Sequence, residues 1–303
     1  MMKKLSVISL LLLLLLFLIP ASAEETSCVI NLIDNPDAEY SFKEGAEILE
    51  IIFPRVYSSD CAFVRFGGET MLIDASTESD EMHQRIRAAI EMTGIEHFDI
   101  AFNTHPHRDH IMGCPVIHEY APLKKFLITF PADYDWRMRR ITGYMNDHDV
   151  PVEVVGNGHS FSLGESGEVS VKVIQYSEIK SWPLNDQSAM LHFTYGNRAF
   201  LLAGDNENRA QEYFSENLPA FSLKADILKY PHHGSAPMMI EFKDAVNPEL
   251  MFMNCAANTY KGMKKYLDEE LCIPYLIGYK GITRMRTDGE IWVVDQWELA
   301  VEE

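Results

Sequence analysis

The chain has no Cys-x-x-Cys pair, no tract dominated by Pro, Ser or Gly and no excess of basic residues. Each absence excludes something. Without paired cysteine spacings there is no zinc-ribbon framework. The cysteines are Cys28, Cys61, Cys114, Cys255 and Cys272, an odd set that leaves at least one unpaired in a monomer. Buried free thiols are the expected state, with room for one or two disulfides if the chain is exported. Without a low-complexity tract or an internal repeat, neither a long linker nor a solenoid is expected. Lys and Arg number 26 against 45 Asp and Glu, a formal charge of −19. That balance lacks the basic footprint of a nucleic-acid binder and disfavours long polyanions as partners.

A long membrane span is also missing. The one strongly apolar run, Val7 to Ile19, follows Lys3 and Lys4 and ends at Pro20. It is short for a bilayer. Ala21-Ser22-Ala23 then offers small residues ahead of Glu24. This is the pattern of a secretory signal peptide over residues 1–23. The expected product is a secreted protein with no membrane span after cleavage; an uncleaved leader would anchor it instead. Residues 24–46 read as a lead segment and 47–303 as one hydrolase-sized domain.

What is present is an alternation of strands and amphipathic helices. Gly67-Gly68 and Gly196-Asn197 join apolar strands as tight hairpins. Met82, Ile86, Ala89 and Ile90 recur at helical spacing before Gly94. Further helices are expected over 113–120, over 132–146 and from Asn206 to Asn217. Mixed hairpins and strand–helix units point to the α/β class, two sheets packed face to face with helices outside.

Three strand ends carry chemistry. The apolar run Phe98–Asn103 leads into His105-x-His107-x-Asp109-His110. In an extended segment, alternation would place His105, His107 and Asp109 on one side. Imidazole and carboxylate are suitable ligands for Zn2+ and other first-row divalent ions. The strand ending Ala203-Gly204-Asp205 is ambiguous alone, because Asp205 could simply cap a following helix. A third strand ends in Pro231-His232-His233-Gly234-Ser235.

This series resembles the metallo-β-lactamase superfamily. It is most similar to the hydrolase domain of the competence (DNA-uptake) channel ComEC and to stand-alone secreted relatives. Further support comes from Ser59-Asp60-Cys61, Met71-Leu72-Ile73-Asp74, Asn185-Asp186-Gln187-Ser188, Lys229-Tyr230 and Arg286-Thr287-Asp288-Gly289. The resemblance implies a four-layer αβ/βα sandwich with one or two divalent ions, Zn2+ or alternatively Mn2+. It implies that His105 and His107 hold one ion, that Asp109, His110 and His232 hold the second, and that Asp205 bridges them. His232 is preferred to His233 because it follows the strand more directly. The superfamily often has a further histidine where this chain reads Asn185 to Ser188. His159 and His192 are the nearby histidines: His192 sits mid-strand, where packing is the expected role, and His159 lies in a Gly-rich turn with its role open.

The expected activity is hydrolysis of a phosphodiester or other phosphoester, with Asp109 orienting the attacking water and taking its proton. A small molecule, a phosphorylcholine-type surface decoration or, less in keeping with the charge, a nucleic-acid strand would be the substrate. The alternatives are a lactonase or β-lactamase activity and a binding module that keeps the metal site without catalysis. The cluster Tyr134, Trp136, Arg137, Arg139, Arg140 and Tyr144 is readable either as a substrate wall or as an ordinary basic helix face.

Overall fold

Leu49–Phe53 is buried at every position, as a strand covered on both faces must be. Alternate side chains of such a strand enter two different cores. Ile51 and Phe53 face one apolar cluster, with Phe200 and Phe252. Ile52 faces another, with Ile86 and Met138. This arrangement generates four layers.

The computed structural model describes residues 29–30, 42–165, 167–176 and 182–298. The expected leader, its cleavage site and Cys28 lie outside these. Among the described residues, one sheet contains β1 (Val29–Ile30), β2 (Leu49–Phe53), β3 (Cys61–Phe66), β4 (Glu69–Ala75), β5 (Ile100–Asn103), β6 (Phe126–Ile128) and β7 (Val152–Val154). The second contains β8 (Ser160–Leu163), β9 (Val169–Ile174), β10 (Met190–Tyr195), β11 (Arg198–Leu202), β12 (Ile227–Lys229), β13 (Leu250–Met253) and β14 (Tyr275–Ile277). The chain then returns to the first sheet with β15 (Ile282–Thr287) and β16 (Trp292–Trp297). The strand orders are β1-β16-β15-β2-β3-β4-β5-β6-β7 and β14-β13-β12-β11-β10-β9-β8. Both sheets mix parallel and antiparallel pairs.

The sheets pack through an aromatic layer in which Phe53 lies 4.5 Å from Phe252 and 6.1 Å from Phe200, centroid to centroid. Burying each such ring contributes about 1.5–3 kcal/mol. Helices Asp80–Thr93, Cys114–Tyr120 and Trp136–Asp147 cover the outer face of the first sheet through Ile86, Ile117 and Met138. Helices Asn208–Asn217, Ile240–Val246 and Ala257–Tyr266 cover the second through Phe214, Phe242 and Met263. The αβ/βα sandwich expected from the motifs is the observed fold.

Two helix starts differ from expectation for local reasons. Asp135 accepts hydrogen bonds from the Arg137 and Met138 N–H groups at 2.8 and 2.9 Å. It is therefore an N-cap, and the helix begins at Trp136 rather than at 132. Asn206 turns inward and donates to the carbonyls of Ser188 and Ala203, which delays the next helix to Asn208. Asp205 is consequently free of any capping role. The strand β8 carries alternating exposure and lacks a strong apolar signal, which is why sequence reading passes over it. Cys61, Cys114 and Cys255 are buried free thiols, and Cys272 is free and exposed.

One close approach links the first sheet to the site. An ideal Cβ at Gly113 would stand 2.0 Å from the carbonyl oxygen of Ala75, a backbone atom at the end of β4. Gly113→Ala must therefore displace either β4 or the loop that follows His110. We expect a loss of about 1–3 kcal/mol in stability, read as a lower urea midpoint; an unchanged midpoint would contradict this packing.

Candidate metal centre

The carboxyl ends of β4, β5, β11 and β12 meet at one edge of the sandwich. Asp74, the penultimate residue of β4, is wholly buried and binds the loop after β5. It accepts from Asn103 Nδ2 at 2.9 Å, Thr104 N at 2.8 Å and Thr104 Oγ1 at 2.7 Å. Its Oδ2 also lies 2.7 Å from His110 Nδ1. That contact fixes the His110 ring with Nε2 directed inward, the role of an outer carboxylate in a metal site.

His105 follows in extended chain with its Nε2 3.0 Å from His107 Nδ1. Alternation stops there, because His107 is the N-cap of a short helix, Arg108–Ile111. Asp109 reaches the site from that helix and not from an extended strand, which corrects the basis on which it was placed beside His105 and His107. Its Oδ2 stands 3.5 Å from His233 Nε2.

Asp205 follows Gly204, whose φ of +57° belongs to the left-handed region. A Cβ there would also lie 2.2 Å from Ser188 Oγ, so glycine meets both demands. Asp205 Oδ2 then has four imidazole nitrogens within 4 Å: His110 Nε2 at 3.1, His233 Nε2 at 3.6, His105 Nε2 at 3.7 and His232 Nε2 at 3.9 Å. Its Oδ1 is buried without a hydrogen-bond partner.

His232 and His233 take successive left-handed conformations, φ 46° and 51°. The two rings diverge, with centroids 6.0 Å apart. His233 is buried, and its Nε2 approaches His110 Nε2 to 3.3 Å. His232 is partly exposed, with Nδ1 2.8 Å from Glu207 Oε1 and Asn185 Nδ2 beside the ring at 3.3 Å. Both histidines leave the strand in left-handed backbone, so strand direction does not choose His232 over His233. Potential ligand atoms lie within 4.8 Å of one another in two groups, Asp60/His110/Asp205/His233 and His105/His107/Asp205.

The remaining histidines lie elsewhere. His192 Nε2 donates to the Lys224 carbonyl at 2.8 Å, and His159 packs beside Phe161. In the segment that lacks the extra histidine, Ser188 Oγ lies 3.4 Å from His105 Nδ1 and accepts from Asp205 N at 3.1 Å. Trp136 and Tyr134 are exposed. Arg108 and Arg140 both pair with Glu78, so this basic face is partly neutralised.

The site's charges are mutually dependent. Burial opposes protonation of His110, yet Asp205 and Asp74 outweigh it and hold its pKa well above the usual imidazole value. His233 is likewise opposed by burial and pushed up to about 9 by Asp205 and Asp60. Burial would raise Asp205, but His110 and His233 keep it well below the carboxylate range. Burial and neighbouring His110 push His105 far down, leaving a neutral imidazole. Asp109 stays ionised against burial through His233 and His110.

The donor set suits divalent cations. A buried, unpartnered carboxylate oxygen and converging imidazole nitrogens are the groups such an ion satisfies. His105, His107 and Asp205 could hold one. His110, His233 and Asp205, with Asp109 beside them, could hold a second.

The chain also resembles known proteins. The sequence model of the metallo-beta-lactamase superfamily matches residues 54–249. ComE operon protein 3 of Bacillus subtilis (strain 168) is 22% identical over 196 residues, covering 64% of this chain and 24% of that protein. The chain thus corresponds to about a quarter of that relative. Among solved structures, a putative metal-dependent hydrolase from Parabacteroides distasonis aligns over 80% of this chain and 97% of its own length, with 13% identity and a TM-score of 0.50.

Cation binding must displace the protons that His110 and His233 hold. Titrating Zn2+ into the cation-free chain at pH 7 should release protons, seen as buffer-dependent calorimetric heats, and apparent affinity should climb with pH up to about 9. The raised His233 pKa also contributes stability to the cation-free chain. That contribution is complete below the ordinary value of 6.5 and fades as pH rises through about 9. Heats independent of buffer would contradict the protonation described.

Proposed function

The chain belongs to the metallo-β-lactamase superfamily and is a metal-dependent hydrolase, and we propose that it acts outside the cell on a phosphoester. The observation that carries the proposal is the sharing of Asp205 by two candidate cation positions. Two ions bound there would supply Lewis acidity and hydroxide near neutral pH, and would neutralise a phosphoryl group better than a single ion could.

The chain's own residues divide the remaining work. His105, His107 and Asp205 would hold the first ion. His110, His233, Asp205 and Asp109 would hold the second, with Zn2+ the ion best matched to this donor set and Mn2+ the other candidate. Asp109 is the least enclosed carboxylate of the group and is kept ionised. It is placed to accept a proton from the attacking water. His232 stands on the open side with Glu207 bound to Nδ1, which turns its Nε2 toward the space where a departing oxygen would lie. Asp74 and Ser188 orient His110 and His105 from behind.

The leader-like residues 1–23 support export. The acidic composition favours a small ester or a surface decoration over a long polyanion. No described helix is long and apolar enough to cross a membrane.

The test is a substrate panel of bis-p-nitrophenyl phosphate, p-nitrophenyl phosphorylcholine, DNA and a cephalosporin, on protein stripped by chelation and reloaded with Zn2+ or Mn2+. Turnover of a phosphoester restored by metal is expected. Asp109→Ala and His107→Ala should each lower kcat/KM by at least about 100-fold while circular dichroism stays unchanged. Turnover confined to the cephalosporin, or full activity in Asp109→Ala, would overturn the assignment.

A further inference from the structure

Asp60 and Lys229 form a buried ion pair beside the second cation position, and neither residue is explained by the roles assigned above. Lys229 closes β12 with its side chain wholly buried, and its Nζ pairs with Asp60 Oδ2. Asp60 immediately precedes β3 in the other sheet, so the pair spans the two halves of the sandwich. Its backbone N–H donates to the Asp109 carbonyl at 3.0 Å, and its carbonyl accepts from Ser76 N at 2.7 Å. Asn254 Nδ2 also reaches Asp60 Oδ1, at 3.3 Å.

Distance alone would make Asp60 a fourth ligand beside His110, Asp205 and His233. Its surroundings indicate otherwise. Oδ2 is occupied by the ammonium group of Lys229. Oδ1 lies 3.5 Å from His233 Nδ1, the nitrogen opposite the Nε2 that faces Asp205, Asp109 and His110. Asp60 therefore stands behind the His233 ring. The Asn254 carbonyl, 3.2 Å from the same Nδ1, stands there with it.

Accepting the two-cation reading above, we propose that Asp60 and Lys229 are a positioning pair for the second cation. Asp60 sets the orientation of His233, and Lys229 holds Asp60 in place and balances its charge. A lysine is a poor occupant of a buried strand unless a carboxylate answers it, and here the partner comes from across the sheet interface. The pair thereby couples the packing of the two sheets to the aim of one imidazole.

The test uses the full chain and reads metal binding rather than turnover. Ion stoichiometry by mass spectrometry, stepwise affinity by chelator competition and the thermal midpoint of stripped protein are measured for Asp60→Asn, Lys229→Met and the double variant. Each single change should lower the midpoint, because it leaves one buried charge unanswered. The double variant should recover the midpoint yet bind the second equivalent about 10–100-fold more weakly, with the first unchanged. A double variant that regains the full second affinity would show a merely structural pair and overturn the proposal. Complete loss of the second ion in Asp60→Asn would make Asp60 a direct ligand and also overturn it. Should the double variant not fold, Asp60→Glu keeps the charge on a longer arm. It should fold and lose about 10-fold in second affinity, and undiminished affinity there would refute the positioning role. Unmutated protein that takes up fewer than two equivalents would instead refute the two-cation reading on which the pair's role rests.

Discussion

The carboxylate of Asp205, enclosed by four imidazoles at the seam between two sheets, is the constraint around which the rest of the molecule is arranged. An ionised group so deeply enclosed costs several kcal/mol unless it is answered on every side. A domain's whole net stability is only about 5–15 kcal/mol. The answering imidazoles come from two stretches of chain far from Asp205 and from each other, His105–His110 and His232–His233, so the strands that deliver them must be held rigidly. Three apolar clusters, one between the sheets and one under each helical layer, supply that rigidity. Asp74, Ser188 and Glu207 then carry the order outward, each fixing one side chain of the group from behind.

Much of this was legible in the residues because most of the candidate donors are local in sequence. Four candidate donors occur within the span His105 to His110, directly after an apolar strand, whereas Asp205 was ambiguous alone and gained its place from the family resemblance. What escaped was whatever depended on backbone conformation or on contacts between distant segments. Alternation was extended one step too far, to Asp109, because helix formation at Arg108 leaves no strong signal in a four-residue element. The choice between His232 and His233 turns on two left-handed residues, a conformation that L-residues seldom adopt and that strand direction does not foretell.

Asp60 and Lys229 show the other limit. Each is a single charged residue flanking or closing an apolar strand, and the family-like stretches Ser59–Cys61 and Lys229–Tyr230 that contain them do not say that the two meet. A signal did exist, since Ile227-Leu228-Lys229-Tyr230 puts a cation in a strand otherwise fit only for a core. Such a residue announces a buried partner but cannot say which. Conversely, the aromatic and arginine-rich helix around Trp136 was conspicuous in sequence and proves ambiguous in space, because Glu78 and Asp135 already answer two of its arginines, Arg140 and Arg137.

The left-handed pair His232–His233 has a consequence for how this scaffold can change. Backbone of that kind costs about 1–3 kcal/mol per residue, and glycine would adopt it with ease. Keeping imidazoles there therefore carries a backbone cost that glycine would not. At His232, whose ring is partly exposed, exchange for glycine would relieve that cost, whereas at His233 it would also remove a buried imidazole that answers Asp205, so the two neighbouring positions are not equally free to change.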